Sequence, residues 1–225
     1  MELNDGTLQV LKNFSGINQN IMIREGSTLR TVNEAKNIIA YADIKEQFPK
    51  DFGIYDLNEF IGVLSLVDQP RLKFEDSYVI VGDSTGRSKV KYFFSSEETL
   101  TLPPEKVTMP ETEVKFVLTN DTLGKLKRAA STLGHEEVSI SGKDGVLSLS
   151  VLDVKNSTSN TFSIDIDGEF KEGSGFNLVL NIANLKILPG DYDVEVSSKL
   201  ISQFSHKELP VKYWIAFEKT SKYGV

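Results

Sequence analysis

Two short stretches with matching residues decide how this sequence is interpreted. Residues 7–14 read TLQVLKNF and residues 122–129 read TLGKLKRA, so Thr, Leu, Leu and Lys recur at one fixed offset. In both stretches the apolar residues follow each other at helical spacing, as Leu8, Leu11 and Phe14 do in the first. The pattern therefore predicts two related amphipathic helices, one in each half of the chain.

The elements predicted around these two helices also recur in the same order. A strand, a glycine turn and a second strand follow each helix, within residues 21–32 and residues 138–152. A further helix is predicted at residues 56–64 and again at residues 181–188, and strand-like segments follow both. A chance match of four residues in one helix is more common than a chance recurrence of the whole order of elements. We therefore predict an α+β fold made of two similar domains.

Several local signals give these elements their boundaries. Asp56 is predicted to cap the helix that follows it, and Asp121 is predicted to cap the helix of the second half. The dipeptide Asp144-Gly145 is typical of a two-residue hairpin turn between strands. We expect the second helix of the second half to end at Pro189-Gly190, because proline disfavours helical backbone in the residue before it.

A proline-rich segment separates the two halves. Residues 97–112 read EETLTLPPEKVTMPET and contain three of the seven prolines of the chain. Proline removes a backbone donor and favours extended structure in the residue before it, which is typical of a linker. We predict a first domain at residues 1–100, a connector at residues 101–112 and a second domain at residues 113–225.

Composition excludes several classes of protein. The chain of 225 residues contains no cysteine, which excludes disulfides, thiolate metal sites and cysteine nucleophiles, and is compatible with an intracellular protein. No apolar run approaches the roughly 18 residues that a membrane helix needs, and the N-terminus lacks the pattern of a secretory signal. We expect no membrane association.

Basic residues concentrate on the predicted helices although the chain is acidic, with 32 acids against 25 bases. Helical projection places Lys12, Lys125 and Arg128 opposite the apolar faces, and Lys127 and Lys186 at the flanks. Exposed lysines and arginines on a helix most often serve only to keep its surface solvated. If solvation were their only role, however, both acidic and basic residues would be expected on these faces. The charge pattern by itself therefore leaves DNA binding and simple solvation both open.

The remaining motifs do not predict catalysis or a metal site. Residues 165–169 read DIDGE but lack the further acidic positions of a calcium loop. Residues 82–89 read GDSTGRSK but lack the final Gly-Lys-Ser/Thr of a phosphate loop. His135 and His206 lie in different halves without a nearby set of ligands. We predict that the protein is not an enzyme and needs no cofactor and no metal.

The signature segments of both halves resemble the sliding clamp of T-even-like bacteriophages, a processivity factor for DNA polymerase. The segments are LKNF at 11–14, IYDLN at 54–58, Phe60, LSLV at 64–67, NIAN at 181–184 and PG at 189–190. More distantly, KYWIAFEK at 212–219 is similar to the last strand of proliferating cell nuclear antigen, and LRTV at 29–32 to the start of an early strand. Residues 70–120 match poorly.

This resemblance implies a DNA-clamp fold, with antiparallel sheets outside and two helices of each domain facing a central hole. Six such domains form the ring, so two domains per chain imply a homotrimer that encircles duplex DNA without sequence specificity. The exposed stripe of the helix at 56–64, formed by Asn58, Gly62 and Ser65, is small and uncharged and would face the hole. The residues expected to face DNA are Lys12, Lys125, Lys127, Arg128 and Lys186.

The resemblance also implies several partners. A C-terminal peptide of the DNA polymerase is expected to bind in a pocket beside the connector, formed by Val32, Val117, Trp214, Ile215 and Ala216, with Leu102 or Val107 as a lid. Apolar residues on strands more often belong to the core, and this alternative stays open for each of them. Trp214, the only tryptophan, is the best candidate.

A clamp-loader ATPase and late-transcription factors are further implied partners, in the cytoplasm of the infected bacterial host. The main alternative is a structural or scaffolding phage protein, built from two β-rich domains, that does not encircle DNA.

Overall fold

The computed structural model describes residues 1–171 and 175–224 of the chain. The chain forms two compact units, Met1–Glu105 and Lys106–Val225. The division between them falls inside the segment that the sequence predicts as a connector. Each unit combines helices with antiparallel strands, and the two are described in turn.

The described part of the first unit contains two α-helices, seven strands and a 3-10 turn at Glu97–Thr99. In chain order the elements are α1 (Asp5–Ser15), β1 (Ile21–Ile23), β2 (Gly26–Val32), β3 (Ile38–Phe48), β4 (Phe52–Ile54), α2 (Leu57–Ser65), β5 (Arg71–Phe74), β6 (Tyr78–Gly82) and β7 (Lys89–Phe93). β1 pairs with β4, β2 pairs with β3, and β6 pairs with both β5 and β7, always antiparallel. α1 packs against α2 and β3.

Helix α1 forms where the sequence predicts it. The side chain of Asn4 caps the helix by accepting a hydrogen bond from the Thr7 backbone N–H at 3.0 Å. Glu46 of β3 accepts hydrogen bonds from the Asn4 N–H and the Thr7 hydroxyl, which ties the start of the helix to the sheet. Leu11 and Phe14 are fully buried, as the apolar spacing predicts.

Helix α2 also confirms the prediction, including its cap. The Asp56 carboxylate accepts a hydrogen bond from the Glu59 N–H at 3.0 Å. Leu57, Phe60 and Leu64 are buried, so the helix has one apolar stripe at helical spacing. The remaining residues of α2 therefore form its exposed side.

The two strands predicted after α1 exist, but they do not pair with each other. Arg24 forms an ion pair with Asp51 at 2.9 Å, and the Glu25 N–H donates to the same carboxylate at 2.7 Å. These contacts hold the end of β1 beside the chain that leads into β4, its actual partner. Gly26, with φ 115°, then turns the chain away, and β2 pairs with the longer β3.

The described part of the second unit contains one α-helix, ten strands and a 3-10 turn at Ile182–Asn184. The elements are β8 (Val114–Leu118), α3 (Asn120–Leu133), β9 (Glu137–Lys143), β10 (Val146–Leu152), β11 (Phe162–Ile166), β12 (Gly168–Phe170), β13 (Phe176–Asn181), β14 (Tyr192–Ser197), β15 (Ile201–His206), β16 (Val211–Ala216) and β17 (Lys222–Tyr223). One sheet has the order β12-β8-β14-β15-β16 and the other β11-β10-β9-β13-β17. α3 packs against β10.

Helix α3 is confirmed, but its cap is not the predicted one. Thr119 has extended backbone, and its hydroxyl accepts a hydrogen bond from the Thr122 N–H at 3.1 Å. Asp121 lies inside the first turn, where its carboxylate pairs with Lys125 at 2.6 Å. The prediction of Asp121 as the N-cap was wrong because the N-cap is Thr119, so the helix begins at Asn120, two residues before the start that a cap at Asp121 would give. Gly134, with φ 69°, ends the helix.

The hairpin predicted at Asp144-Gly145 is confirmed. Both residues have positive φ, at 50° and 79°, as a type I′ turn requires. Lys143 pairs with Val146 across the turn, and β9 and β10 continue in register from there. The local turn signal was therefore sufficient to fix this pair of strands.

The second helix predicted for the second unit does not form over residues 181–188. The segment makes a single 3-10 turn, Ile182–Asn184, and Leu185 already leaves helical backbone at ψ 40°. The reason lies in its backbone partners: the Tyr213 hydroxyl accepts from the Leu188 N–H at 3.2 Å, and the Tyr192 hydroxyl donates to the Leu188 carbonyl at 2.6 Å. These buried phenols replace helical hydrogen bonds, so the prediction of two helices in each domain was wrong for the second.

Candidate functional site

The basic face of α1 consists of a single lysine. Lys12 is exposed and lies in the last turn, opposite the buried Leu11 and Phe14. Its charge is favourable there, because the C-terminal end of a helix has a partial negative charge. The structure therefore places Lys12 on the outward side of α1, as predicted.

Helix α3 has three exposed bases, and they are not equivalent. Lys125 is held by Asp121 one turn earlier, and the hydrogen bond from Lys125 lowers the pKa of the Asp121 carboxyl. Arg128 lies across Gly124, where a Cβ atom would come within 3.2 Å of its Nη1 atom. The local charge of Lys125 is thus offset, whereas that of Arg128 is displayed along the helix.

The two flanking bases differ from the other three. Lys127 is exposed, but neighbouring atoms desolvate its ammonium group, which lowers its pKa. Lys186 is exposed but follows the 3-10 turn, so it does not lie on a helix. Its predicted place on a helix flank was wrong, and its role towards DNA stays a prediction, as it does for the other four bases.

The outward side of α2 is uncharged along one stripe. Asn58, Gly62 and Ser65 are all exposed, as the sequence predicts. The carboxylate of Asp56 caps the helix, and the hydrogen bond from the Glu59 N–H lowers its pKa. The exposed surface of α2 therefore presents no base to a phosphate.

The residues predicted for the partner pocket differ widely in accessibility. Leu102 of the first unit and Val117 of the second are 40% and 43% exposed. Val32 and Trp214 are 2% and 6% exposed, and Ile215 is completely buried. A pocket assembled from both units stays a prediction. Leu102 and Val117 are its most accessible members, and Ala216 is half-buried.

Trp214 belongs to a row of polar contacts that sequence reasoning missed. Its indole Nε1–H donates to Gln203 Oε1 at 2.9 Å, and Gln203 Nε2 donates to Glu195 Oε2 at 3.0 Å. Lys115 then pairs with Glu195 at 3.4 Å. The row crosses β16, β15, β14 and β8 on one face of their sheet. Alternation along each strand could have suggested a shared face, but the register between strands is set only by tertiary pairing.

The segment at residues 82–89, which resembles a phosphate loop, is held together by its own hydrogen bonds. In the loop at 82–89 the Asp83 carboxylate accepts from the backbone N–H groups of Thr85, Arg87 and Ser88. The hydrogen bond from Thr85 also lowers the pKa of Asp83. The donors that a phosphate would need are therefore already occupied by this carboxylate.

The two histidines and the acidic residues give no metal site in the part of the chain that the structure describes. His206 Nδ1 accepts from the Glu208 and Leu209 N–H groups, and His135 contacts the Asn160 carbonyl at 2.8 Å. Across residues 1–171 and 175–224, no three His, Cys, Asp or Glu side chains cluster closely enough to hold a metal ion. Within the same ranges, no helix has the length and apolar character needed to cross a membrane.

Comparisons with known proteins match both units. A family described as DNA polymerase processivity factor matches residues 4–94, and one described as gp45 sliding clamp, C terminal, matches residues 111–219. The sliding clamp of Vibrio phage KVP40 is 37% identical over 225 residues, covering 97% of this chain and 99% of the relative. The sliding clamp of Escherichia phage RB69 is 29% identical, covering 98% of each chain.

A solved structure extends the comparison to the fold. PCNA of A. fulgidus, bound to the C-terminal region of FEN-1, aligns with a TM-score of 0.70 over 98% of both chains at 13% identity. At that identity the likeness concerns the fold alone. It confirms the DNA-clamp fold that the sequence predicts.

Proposed function

Because this chain belongs to the sliding-clamp family of DNA polymerase processivity factors, we propose that it encircles duplex DNA as a ring and tethers the replicative DNA polymerase. The observation that supports this function most directly is the outward basic side of α1 and α3 in a chain with net charge −7. Each helix has one acid, Asp5 or Asp121, in its first turn, where the helix dipole favours a negative charge. Beyond that turn every charged residue of α1 and α3 is basic, whereas both signs would be expected if these residues only solvated the helices.

The contacts with DNA are few and weak on this proposal. Lys12 and Arg128 supply exposed positive charge towards phosphates, and Lys125, Lys127 and Lys186 contribute less directly. Lys125 forms an ion pair with Asp121, which offsets its positive charge and limits the strength of any contact between Lys125 and a phosphate. Weak, replaceable contacts suit a protein that must slide, and they make no distinction between base sequences.

Processivity then comes from topology rather than from catalysis. A closed ring cannot dissociate sideways from DNA, and the bound polymerase rebinds its primer end at a high effective concentration. No bond of a substrate is made or broken by the clamp in this function. We therefore propose a non-catalytic accessory protein, without cofactor or metal.

A homotrimer is the proposed assembly, and each unit offers a strand edge for it. β7 of the first unit has no partner on its outer side among the described residues, and it exposes Lys89, Lys91 and Phe93. β11 is an edge strand of the second unit within the same ranges, and it exposes Ser163 and Asp165. Pairing β7 of one chain with β11 of the next is head-to-tail, and such pairing generates a ring if the rotation closes.

The proposed partners follow from the same function. A C-terminal peptide of the polymerase binds the pocket formed by Val32, Leu102, Val117, Trp214, Ile215 and Ala216, and a clamp-loader ATPase opens the ring. Late-transcription factors are further partners, in the cytoplasm of the infected bacterial host. A structural or scaffolding role is less favoured, because the matching families are described by replication and not by virion structure.

The test is synthesis by the matched polymerase on primed circular DNA, with and without the clamp, its loader and ATP. We expect long products only when all components are present, and loss of the loaded clamp when the circle is linearised. Absence of stimulation with matched partners would contradict the proposed function. Native mass provides an independent check, because a trimer has three times the 25.0 kDa of one chain, whereas a stable monomer contradicts the ring.

A further inference from the structure

A cavity in the first unit is lined by Arg30, whose buried Nε atom has no hydrogen-bond partner among the described residues. The cavity has a volume of about 590 Å³ and lies between β2 and the residues that follow the 3-10 turn at Glu97–Thr99. Its lining is partly apolar, with Met22, Leu102 and Pro103, and partly charged, with Arg30 and Glu105. A ligand for this cavity must therefore offer both kinds of surface.

A second arginine of the same cavity is already satisfied. Arg24 pairs with Asp51 at 2.9 Å and with Glu97 at 2.8 Å, and the Glu97 hydrogen bond is the main cause of its raised pKa. Two carboxylates offset one guanidinium, so Arg24 has little capacity for a further anion. It forms part of the wall and fixes the shape of the cavity.

Arg30 is the opposite case. Its Nε atom is buried and has no hydrogen-bond partner in the part of the chain that the structure describes. Its guanidinium carbon lies 5.3 Å from the centre of the Tyr41 ring, and the Tyr41 hydroxyl donates to the Pro104 carbonyl. The stacking contact holds the guanidinium in place but does not satisfy Nε. A buried donor without a partner is uncommon and costly, which indicates a group that a ligand completes.

Two acidic side chains of the protein line the cavity: Asp51, which pairs with Arg24, and Glu105. The pKa of the Tyr41 hydroxyl is raised, mainly by burial and also by the negative charge of Glu105. The positive charge of Arg30 opposes this rise. The described residues show no ion pair between Glu105 and Arg30. Among the described residues, Glu105 therefore does not take the position beside Arg30.

We propose that this cavity binds an aspartate or glutamate side chain of a partner peptide, together with an adjacent apolar residue. The carboxylate accepts hydrogen bonds from the Arg30 guanidinium, and the apolar side chain packs on Met22 and Leu102. The proposal rests on the proposed function only in that the peptide belongs to a protein that docks on the clamp. The negative charge of Glu105 on the wall of the same cavity repels an incoming carboxylate and so weakens the peptide's binding.

The probe is the blocked dipeptide N-acetyl-Asp-Leu-amide, with N-acetyl-Asn-Leu-amide as its neutral match, added to the full-length protein at up to tens of millimolar. ¹H–¹⁵N spectra report on the Arg30 Nε–H group directly. We expect the acidic dipeptide to shift this resonance and the neutral one to bind roughly tenfold more weakly. Equal shifts with both dipeptides, or no shift with either, overturn the proposal.

Variants separate the two charged residues. Glu105→Gln, on the surface, should strengthen binding of the acidic dipeptide by roughly threefold, and Arg30→Gln should abolish the carboxylate preference. Arg30→Lys keeps a charge without the planar fork and should weaken binding, which guards against a folding defect in Arg30→Gln. Arg87→Gln, an exposed arginine in the 82–89 loop, is the control and should change nothing.

Two outcomes assign the cavity differently. If Glu105→Gln lowers thermal stability and leaves dipeptide binding unchanged, Arg30 and Glu105 form an internal latch and the proposal fails. If N-acetyl-leucine binds as tightly as the acidic dipeptide, the site recognises a chain end and not an acidic side chain. The spectra do not depend on ring closure or polymerase, so a failed processivity assay would leave this result intact.

Discussion

Helix α2 and the segment at residues 181–188 occupy the same place in the order of elements, yet only α2 is an α-helix. Both begin with a side-chain cap, from Asp56 in one case and from Asn181 in the other. After the cap, α2 buries one stripe and keeps its own backbone hydrogen bonds. The second segment instead gives the backbone of Leu188 to two tyrosine side chains. A shared cap and a shared position therefore do not determine helix length, whereas competing tertiary partners do.

The two tyrosines are suited to that competition. Burial raises the pKa of both Tyr192 and Tyr213, so both phenols keep their protons at physiological pH. The Tyr192 hydroxyl donates to the Leu188 carbonyl and the Tyr213 hydroxyl accepts from the Leu188 N–H, so both backbone groups of Leu188 have a phenol partner. In the first unit the Tyr92 ring contacts Phe60, and the Tyr92 hydroxyl donates to the Asp56 carbonyl at 3.2 Å. That carbonyl still accepts from the Phe60 N–H at 3.0 Å, so the first helical hydrogen bond of α2 is kept.

The largest expected effect concerns helix α2. Phe60→Ala removes a buried ring of α2 and should destabilise the protein by about 3–5 kcal/mol, because the cavity left behind cannot fully collapse. Urea denaturation followed by circular dichroism measures the change. Asn58→Ala, on the exposed side of the same helix, is the matched control and should lie within about 0.5 kcal/mol of the original protein.

The next largest effect concerns the segment at residues 181–188. Tyr192→Phe leaves the buried Leu188 carbonyl without its donor and should cost about 1–3 kcal/mol in unfolding free energy. The fluorescence of Trp214, the only tryptophan, follows unfolding of this unit. Tyr55→Phe removes the hydroxyl of an exposed tyrosine and should be nearly neutral. A neutral Tyr192→Phe would contradict the account of why residues 185–188 are not helical.

A smaller effect concerns the cap of α2. Asp56→Ala should cost about 1 kcal/mol, whereas Asp56→Asn keeps an accepting oxygen and should cost less. The folded pKa of Asp56 is lowered, so the stability from its charge is present above the unfolded pKa and is lost as the pH falls through the folded pKa. The difference between the original protein and Asp56→Asn should therefore be constant near neutrality and vanish in acid. A difference that grew on acidification would reverse this sign.

The smallest effects separate the helices by charge. Arg128→Ala and Lys12→Ala should each weaken DNA binding by roughly threefold at moderate salt and lower the salt slope by about one. Asp121→Asn releases Lys125 and should strengthen binding to a similar degree. Binding of the ring to short duplexes at several salt concentrations measures all three. Lys219→Ala, an exposed lysine outside the helices, is the control, and an equal loss there would show that total charge is what matters.

The sequence was sufficient for elements defined by local signals. The apolar spacing of Leu8, Leu11 and Phe14 predicted α1, and Asp144-Gly145 predicted a hairpin with both residues at positive φ. Asp121 failed as a cap because a threonine two residues earlier offers an oxygen that competes for the same role, and short-range rules do not decide between the two.

The candidate site divides in the same way. Exposure of Lys12 and Arg128 follows from helical periodicity and needed no coordinates. The row from Trp214 to Gln203 could not be predicted, and neither could the Arg30 Nε atom that lacks a partner in the described part of the chain, because each depends on which strands or loops come together. Sequence spacing does not encode the register between strands that are far apart in the chain.

By itself the sequence determined the duplicated α+β order, the outward basic side of the paired helices and the resemblance to sliding clamps. These properties depend on periodicity and local capping, whose range is a few residues. Only the tertiary structure decided the lost helix at 185–188 and the cavity of Arg30. Both depend on hydrogen-bond partners that are distant in sequence, and a buried polar group takes whichever partner the fold brings within reach.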